Sequence, residues 1–311
     1  MDTVNALAPL VVVAGPTGSG KSDLAIALAE TFQGEIVNCD SLQLYRYLNI
    51  GTAKTLEADR RGVPHHLFDI VNPDEVFTAG DYSRLARAAV KEIAARGKLP
   101  IVTGGTGFYL RALLDGLFPG PGRNDDLRAR LARRPGSLHK LLHRFDSTAA
   151  ARIHANDTNK LIRALEVCLL ARRPISSLHA QGREPLKGFR ILKIGLDPPR
   201  AALVERLNHR CTKMFEAGLA DEVRQVLALG YPPTAKAFES IGYREALLYI
   251  GSGFTADEAI AATQIATRQY AKRQRTWFRR EPDMLWLEGF GNISKTIESA
   301  NGLVQNFLNI S

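Results

Sequence analysis

Leu10-Val11-Val12-Val13-Ala14-Gly15-Pro16-Thr17-Gly18-Ser19-Gly20-Lys21-Ser22 is the stretch on which the fold turns. An apolar run leads into G-x-x-x-x-G-K-S, and Asp23-Leu24-Ala25-Ile26-Ala27-Leu28-Ala29 continues with helical spacing. Strand, glycine-rich turn and helix in that order make a phosphate-binding loop. The glycines let successive backbone N–H groups turn toward one anion, the helix N-terminus adds partial positive charge, and Lys21 adds a full one. Ser22 is suited to hold a magnesium ion that bridges phosphate oxygens. An incidental lysine in a glycine-rich turn is the bland alternative, and the strand–loop–helix context argues against it. Gly15, Pro16, Thr17, Gly18, Ser19, Gly20, Lys21 and Ser22 are therefore candidate contacts to a compound with two or more linked phosphates. The loop alone leaves that compound open.

Downstream, strands and helices alternate. Glu35-Ile36-Val37-Asn38-Cys39-Asp40 reads as a second strand ending on a carboxylate, and Ser41-Leu42-Gln43-Leu44-Tyr45 as a loop or short helix after it. His66–Val71, set off by Pro64 and Pro73, reads as a third strand. Ser83–Arg96 has helical spacing, and Pro100-Ile101-Val102-Thr103 is a fourth strand running into Gly104-Gly105-Thr106-Gly107. This alternation predicts an α/β fold with a parallel doubly wound sheet, in which ligands sit beyond the carboxyl ends of the strands. The loops after strands one, two and four should then converge.

Between Gly120 and Pro185 the strand pattern stops. Three helical patterns, 125–134, 136–145 and 159–171, fill the gap before a fifth strand at Phe189–Asp197. The expected organisation is a catalytic core of 1–119 and 186–311 carrying a helical insertion at 120–185. Helices are expected at 200–216 and 219–229. A long last one runs from a Thr255-x-x-Glu258 capping box to Pro282.

Composition narrows the function classes. With 311 residues and 45% apolar content the chain can bury a sizeable core, so disorder is excluded. Cys39, Cys168 and Cys211 lie far apart with no C-x-x-C pair and read as reduced, buried thiols of a cytoplasmic protein. Met1–Asn5 has no basic leader, no apolar stretch approaches a membrane span, and a monomer is expected. The net charge is +9, and 121–185 alone holds 13 basic and 6 acidic side chains, which favours a polyanionic partner. On the last helix Arg268, Lys272, Arg275 and Arg279 fall within a wedge of about 60° at about 100° per residue. No acid lies between Arg268 and Arg280. Stacked cations of this kind repel unless an anion neutralises them, so a nucleic-acid or polyphosphate face is expected there.

A kinase-type site pairs the loop with a strand-end carboxylate that orients magnesium. The fourth strand ends in Thr103-Gly104-Gly105-Thr106 instead, and the nearest acid is Asp40. Asp40 suits a general base; a role behind magnesium is its other reading. Thr106, flanked by glycines, suits the bridging oxygen of a diphosphate, or simply caps a tight turn. Adjacent His65 and His66 face opposite ways on a strand, which argues against a metal pair.

Six motifs, taken together and in this order, are similar to those of the tRNA dimethylallyltransferases of bacterial type. They are Gly15–Ser22, Asp40-Ser41-Leu42-Gln43-Leu44-Tyr45, Gly104-Gly105-Thr106-Gly107-Phe108-Tyr109, Arg163-Ala164-Leu165-Glu166-Val167, Ile241-Gly242-Tyr243-Arg244-Glu245, and the run from Arg268 to Phe278. The resemblance implies transfer of a dimethylallyl group from its diphosphate to N6 of adenine 37 beside the anticodon of tRNA. It implies that the loop, Mg2+ at Ser22, Thr106 and either Arg244 or Arg268 hold the diphosphate, and that Asp40 accepts the N6 proton. Ser41, Leu42 and Gln43, with Asp40 and Thr106, would meet the extruded base. Arg128, Asn159, Lys160, Leu161, Ile162, Arg163 and the run Lys272, Arg273, Gln274, Arg275, Thr276 and Trp277 would hold the RNA. Where the family reads H-P-N-D-x-Q-R, this chain has His154-Ala155-Asn156-Asp157-Thr158-Asn159-Lys160, so a lysine stands in for the planar fork of arginine. An adenylate isopentenyltransferase shares the loop, Asp40 and G-G-T-G but has no use for the basic insertion. A small-molecule kinase lacks its strand-end acid here, and an RNA-binding NTPase switch would leave Asp40 and Thr106 idle.

Overall fold

A computed structural model describes residues 7–310; Met1–Asn5, read above as lacking a basic leader, lie outside the described residues. Six strands form one sheet: β1 Ala8–Ala14, β2 Gly34–Asn38, β3 His65–His66, β4 Leu99–Gly104, β5 Phe189–Leu196 and β6 Met284–Leu287. Their order is β3-β2-β4-β1-β5-β6 and every pairing is parallel, with Val12 opposite both Val102 and Lys193. Central strands of such a sheet are covered on both faces, which is why Leu10–Ala14 is apolar without alternation. Val11, Val13, Ile101 and Ile194 pack with Leu24 and Leu28 of the Lys21–Phe32 helix and Val304 of the Ser294–Asn309 helix. Each such side chain contributes about 1.5–3 kcal/mol by leaving water.

The third strand is shorter than the expected 66–71. Only His65 and His66 pair with β2, because Leu67 and Asp69 take positive φ values of 63° and 55° and break the extended backbone. Val71 returns to make a single bridge with Tyr45. β6 and the Ser294–Asn309 helix lie beyond Pro282 and were not anticipated. The capping box is present as expected, with Thr255 Oγ1 accepting from Glu258 N and a Glu258 carboxylate oxygen accepting from Thr255 N.

The chain divides into two compact units, Leu114–Leu186 and the remainder of the described chain. The smaller unit is wholly helical, with Leu138, Leu142, Leu161, Leu165 and Val167 in its core. Three of its helices start on short polar side chains: Asn124, Asp146 and Asp157 accept from Leu127 N, Ala149 N and Lys160 N. At its centre Glu166, 0% exposed, accepts from Asn124 N at 2.7 Å, Arg163 Nη1 at 2.7 Å and Arg128 Nη1 at 3.1 Å. Burial alone would raise this carboxyl. The Asn124 and Arg163 bonds, with the charges of Arg163 and Arg128, hold it below the usual carboxylate range.

Candidate active site

β1, β4 and β2 are neighbours, so the loops at their carboxyl ends meet. They are tied by backbone and hydroxyl bonds. Cys39 N donates to Thr103 O (2.7 Å), Thr106 N to Cys39 O (3.1 Å) and Ser41 N to Thr106 Oγ1 (3.0 Å). The chains approach so closely that a Cβ on Gly104 would run into the Cys39 backbone. Gly20 takes φ 85° at the start of the Lys21–Phe32 helix, and a Cβ there would come within 2.8 Å of Gly291 N. The G-G-T-G and G-K-S glycines are thus demanded by geometry.

A cavity of about 700 Å³ opens over the phosphate loop, lined by Thr17, Lys21, Ser22, Asp40, Thr103 and Arg210. A second, of about 320 Å³, is lined by Met214, Ile241, Thr263, Thr267, Tyr270 and Arg273. Thr17, Asp40, Thr52 and Arg210 border both. Asp40 therefore stands between a polar chamber and a mixed one. Its Oδ1 accepts from Leu42 N at 2.9 Å, and Oδ2 has no protein donor among the described residues.

Lys21 Nζ donates to Pro16 O at 2.9 Å. Desolvation, partly offset by Asp40 and reinforced by Arg210, lowers its pKa to about 8. Desolvation likewise lowers Arg210 from its usual range. Two cations held near one carboxylate and short of solvent are an arrangement that gains from an anionic ligand. Cys39, next to Asp40, is pushed up to about 12, chiefly by burial, so its thiol stays protonated and inert.

A family model described as IPP transferase matches residues 43–281. The chain belongs to the IPP transferase family. It is similar to a tRNA dimethylallyltransferase of Solibacter usitatus, 60% identical over 304 residues, covering 96% of this chain and 99% of that one. One from Koribacter versatilis is 55% identical over 301 residues, with 95% and 98% covered. Among solved structures, the full-length tRNA isopentenylpyrophosphate transferase of Bacillus halodurans matches at a TM-score of 0.72. It is 35% identical, with 96% of each chain covered. A eukaryotic dimethylallyltransferase acting on tRNA reaches a TM-score of 0.81 at 28% identity, covering 97% of this chain and 78% of that one. These likenesses accord with the P-loop α/β fold read from the sequence.

Several side chains lie elsewhere than their expected roles require. Neither Arg244 nor Arg268 lines the two chambers: Arg244, 60% exposed, pairs with Glu245 at 2.5 Å, and Arg268 donates to Asn208 at 2.5 Å. The arginine at the junction is Arg210, on the Arg200–Glu216 helix. In the sequence Arg206 and Arg210, four apart, look like any soluble helix face, so nothing there marks Arg210. The cationic stripe on the Ala256–Phe278 helix is also less bare than its spacing implied. Asp197, at the end of β5, pairs with Arg275 at 2.5 Å and Arg279 at 3.0 Å, so an internal anion supplies the neutralisation. Lys272 has no such partner among the described residues, and it lines a surface pocket with Arg111, Arg273, Thr276 and Trp277.

Leu161 and Ile162 are buried in the helical core and offer no side chain to an RNA, while Arg128 and Arg163 are spent on Glu166. Lys160 pairs with Asp157 at 2.5 Å, and neighbouring Asn159 is exposed. Gln274 is buried, bridging Thr17 N and Gly105 O. The Thr106 hydroxyl bonds Ser41, and Gln43 Nε2 bonds Thr52 O and Ala53 O at the rim of the larger cavity. Leu42 borders the smaller one.

Proposed function

We propose that this chain alkylates N6 of an adenine beside the anticodon of tRNA with the dimethylallyl group of dimethylallyl diphosphate, releasing diphosphate. The observation that carries the reading is Asp40 on the wall shared by the two chambers, with Lys21 and Arg210 beside it. The larger chamber takes the diphosphate: the loop amides, Lys21 and Arg210 stabilise it as the bond from carbon to bridging oxygen breaks and negative charge gathers there. The smaller chamber takes the other reactant. As the N6–carbon bond forms, the N6 proton passes to Asp40, which is held by Leu42 N and keeps one oxygen free of protein donors. Thr106 acts through Ser41, bracing the loop that carries Asp40. Lys272, Arg273 and Trp277 are the RNA-facing members of the expected set.

Magnesium suits the larger chamber. No group of three or more His, Cys, Asp or Glu among the described residues could enclose a metal. Ser22 and the buried Thr103 hydroxyl, which has no hydrogen-bond partner among the described residues, offer oxygen donors beside a phosphate site. That is the donor set of an ion held mainly by substrate oxygens and water. Bound there, it would neutralise charge on the diphosphate. Among the described residues no helix is long and apolar enough to cross a membrane; we place the activity in the cytoplasm.

The test is label transfer from dimethylallyl diphosphate to an anticodon stem-loop, with AMP as the competing acceptor. Label is expected in the RNA and lost by about 10²–10⁴-fold in Asp40→Ala. Label in AMP, or an Asp40→Ala variant of full activity, would overturn the reading.

A further inference from the structure

We propose that Gln274 limits the phosphate loop to ligands with two phosphates, and so is the residue by which the site rejects triphosphates. This rests on the reading of the loop as a grip on diphosphate. Gln274 projects from the Ala256–Phe278 helix and is only 5% exposed. Its Oε1 accepts from Thr17 N at 2.7 Å and its Nε2 donates to Gly105 O at 2.8 Å. One carboxamide thus joins the loop after β1 to the loop after β4.

Two consequences follow for the ligand. The Thr17 amide is consumed inside the protein, and the Ser19 amide donates to Pro16 O at 3.3 Å. Gly18, Gly20, Lys21 and Ser22 keep amides with no protein acceptor among the described residues, clustered at the helix start. The donor row is therefore short at its Thr17 end.

The second consequence is steric. A Cβ built on Gly105 would run into Gln274 Nε2 and lie 3.8 Å from Lys21 Nζ, so carboxamide and ammonium flank the same glycine. In loops that hold triphosphates this lysine reaches the outermost pair of phosphates. Here the space beside it is taken by Gln274. A third phosphate would have to displace the carboxamide and leave Gly105 O buried without a donor, whereas a diphosphate on the remaining amides disturbs neither bond. Discrimination of this kind works by a penalty against the wrong ligand, with no added contact to the right one.

The experiment compares inorganic pyrophosphate and tripolyphosphate as inhibitors of alkyl transfer, with calorimetric binding of each, in the native protein and in Gln274→Ala. Alanine removes both bonds and the volume of the carboxamide. The ratio of tripolyphosphate to pyrophosphate affinity is expected to rise about 10-fold, the worth of roughly one buried hydrogen bond, while pyrophosphate affinity changes by less than about threefold. An unchanged ratio in a variant with a native melting profile overturns the proposal, as does a parallel loss of both affinities, which would make Gln274 a brace and no more. Should the alanine variant not fold, the same ratio is read in Gln274→Asn, whose shorter amide cannot span both partners; an unchanged ratio there is equally fatal. Lys21→Ala separates this from the underlying reading. If pyrophosphate binding survives that change, the diphosphate grip itself is wrong and both ideas fall; if it is lost while the Gln274 ratio stays put, only this one does.

Discussion

Glu166 in the smaller unit and Asp40 in the larger sit among similar charges and do opposite things with them. Glu166 draws Arg128 and Arg163 into direct bonds and adds a backbone amide, so each charge is answered within the fold. Asp40 has Lys21 and Arg210 near enough to perturb electrostatically, yet the one protein hydrogen bond to its carboxylate among the described residues comes from Leu42 N. A cation whose counter-charge is already in contact is structural; one held short of its counter-charge in a cavity is available to a ligand. The same test sorts the long helix, where Asp197 answers Arg275 and Arg279 but no acid among the described residues answers Lys272.

The contrast can be broken most sharply at Glu166. Replacing it with alanine leaves two guanidinium groups without their acceptor, and removing one partner of a buried pair costs about 3–5 kcal/mol. Hydrogen exchange should show the loss confined to 114–186, with little change in the Lys21–Phe32 helix. Equal loosening of both regions would mean that the two hubs are energetically one.

Next in size is Arg210→Ala, which removes charged hydrogen bonds worth about 1.5–3 kcal/mol and should lower kcat/KM for dimethylallyl diphosphate by about 10- to 100-fold. Arg244→Ala and Arg268→Ala should move it far less. A larger effect at either would return the diphosphate contact to the residues favoured by sequence.

The smallest effect is in pH. The Lys21 ammonium titrates near 8 in the free protein, well below its ordinary value. Bound diphosphate favours the protonated form, so ligand binding takes up a proton once the pH passes 8. kcat/KM should therefore fall above pH 8, by at most about tenfold per unit. The linkage to folding has the opposite sign. A base whose folded pKa is depressed binds fewer protons folded than unfolded, so between pH 8 and its unfolded value stability contributed by Lys21 rises with pH. A flat kcat/KM profile from 7 to 9 would separate Lys21 from the diphosphate.

Much of the molecule could be read from local rules. Four of six strands follow from apolar runs bounded by turn residues, and the loop from the spacing of three glycines, a lysine and a serine. Of the side-chain caps, Thr255 was legible from its box with Glu258, whereas Asn124, Asp146 and Asp157 emerged with the structure. β3 was overestimated because positive φ at Leu67 and Asp69 is invisible in a run that otherwise looks extended. The position of Asp40 was legible because residues just past the carboxyl end of a strand in this fold open onto the cavity.

What tertiary structure alone decided is which charges are spent. Periodicity puts Arg268, Lys272, Arg275 and Arg279 on one face, but only the packing of β5 brings Asp197 to two of them. Spacing marks Gln274 as one polar residue among basic ones, but only the meeting of the β1 and β4 loops turns its carboxamide into a bridge. Arg210 carried no signal at all until its helix placed it between the chambers. Secondary structure follows from neighbours in sequence, whereas the availability of a charge depends on partners 60 to 257 positions away, which the chain specifies only once it has folded.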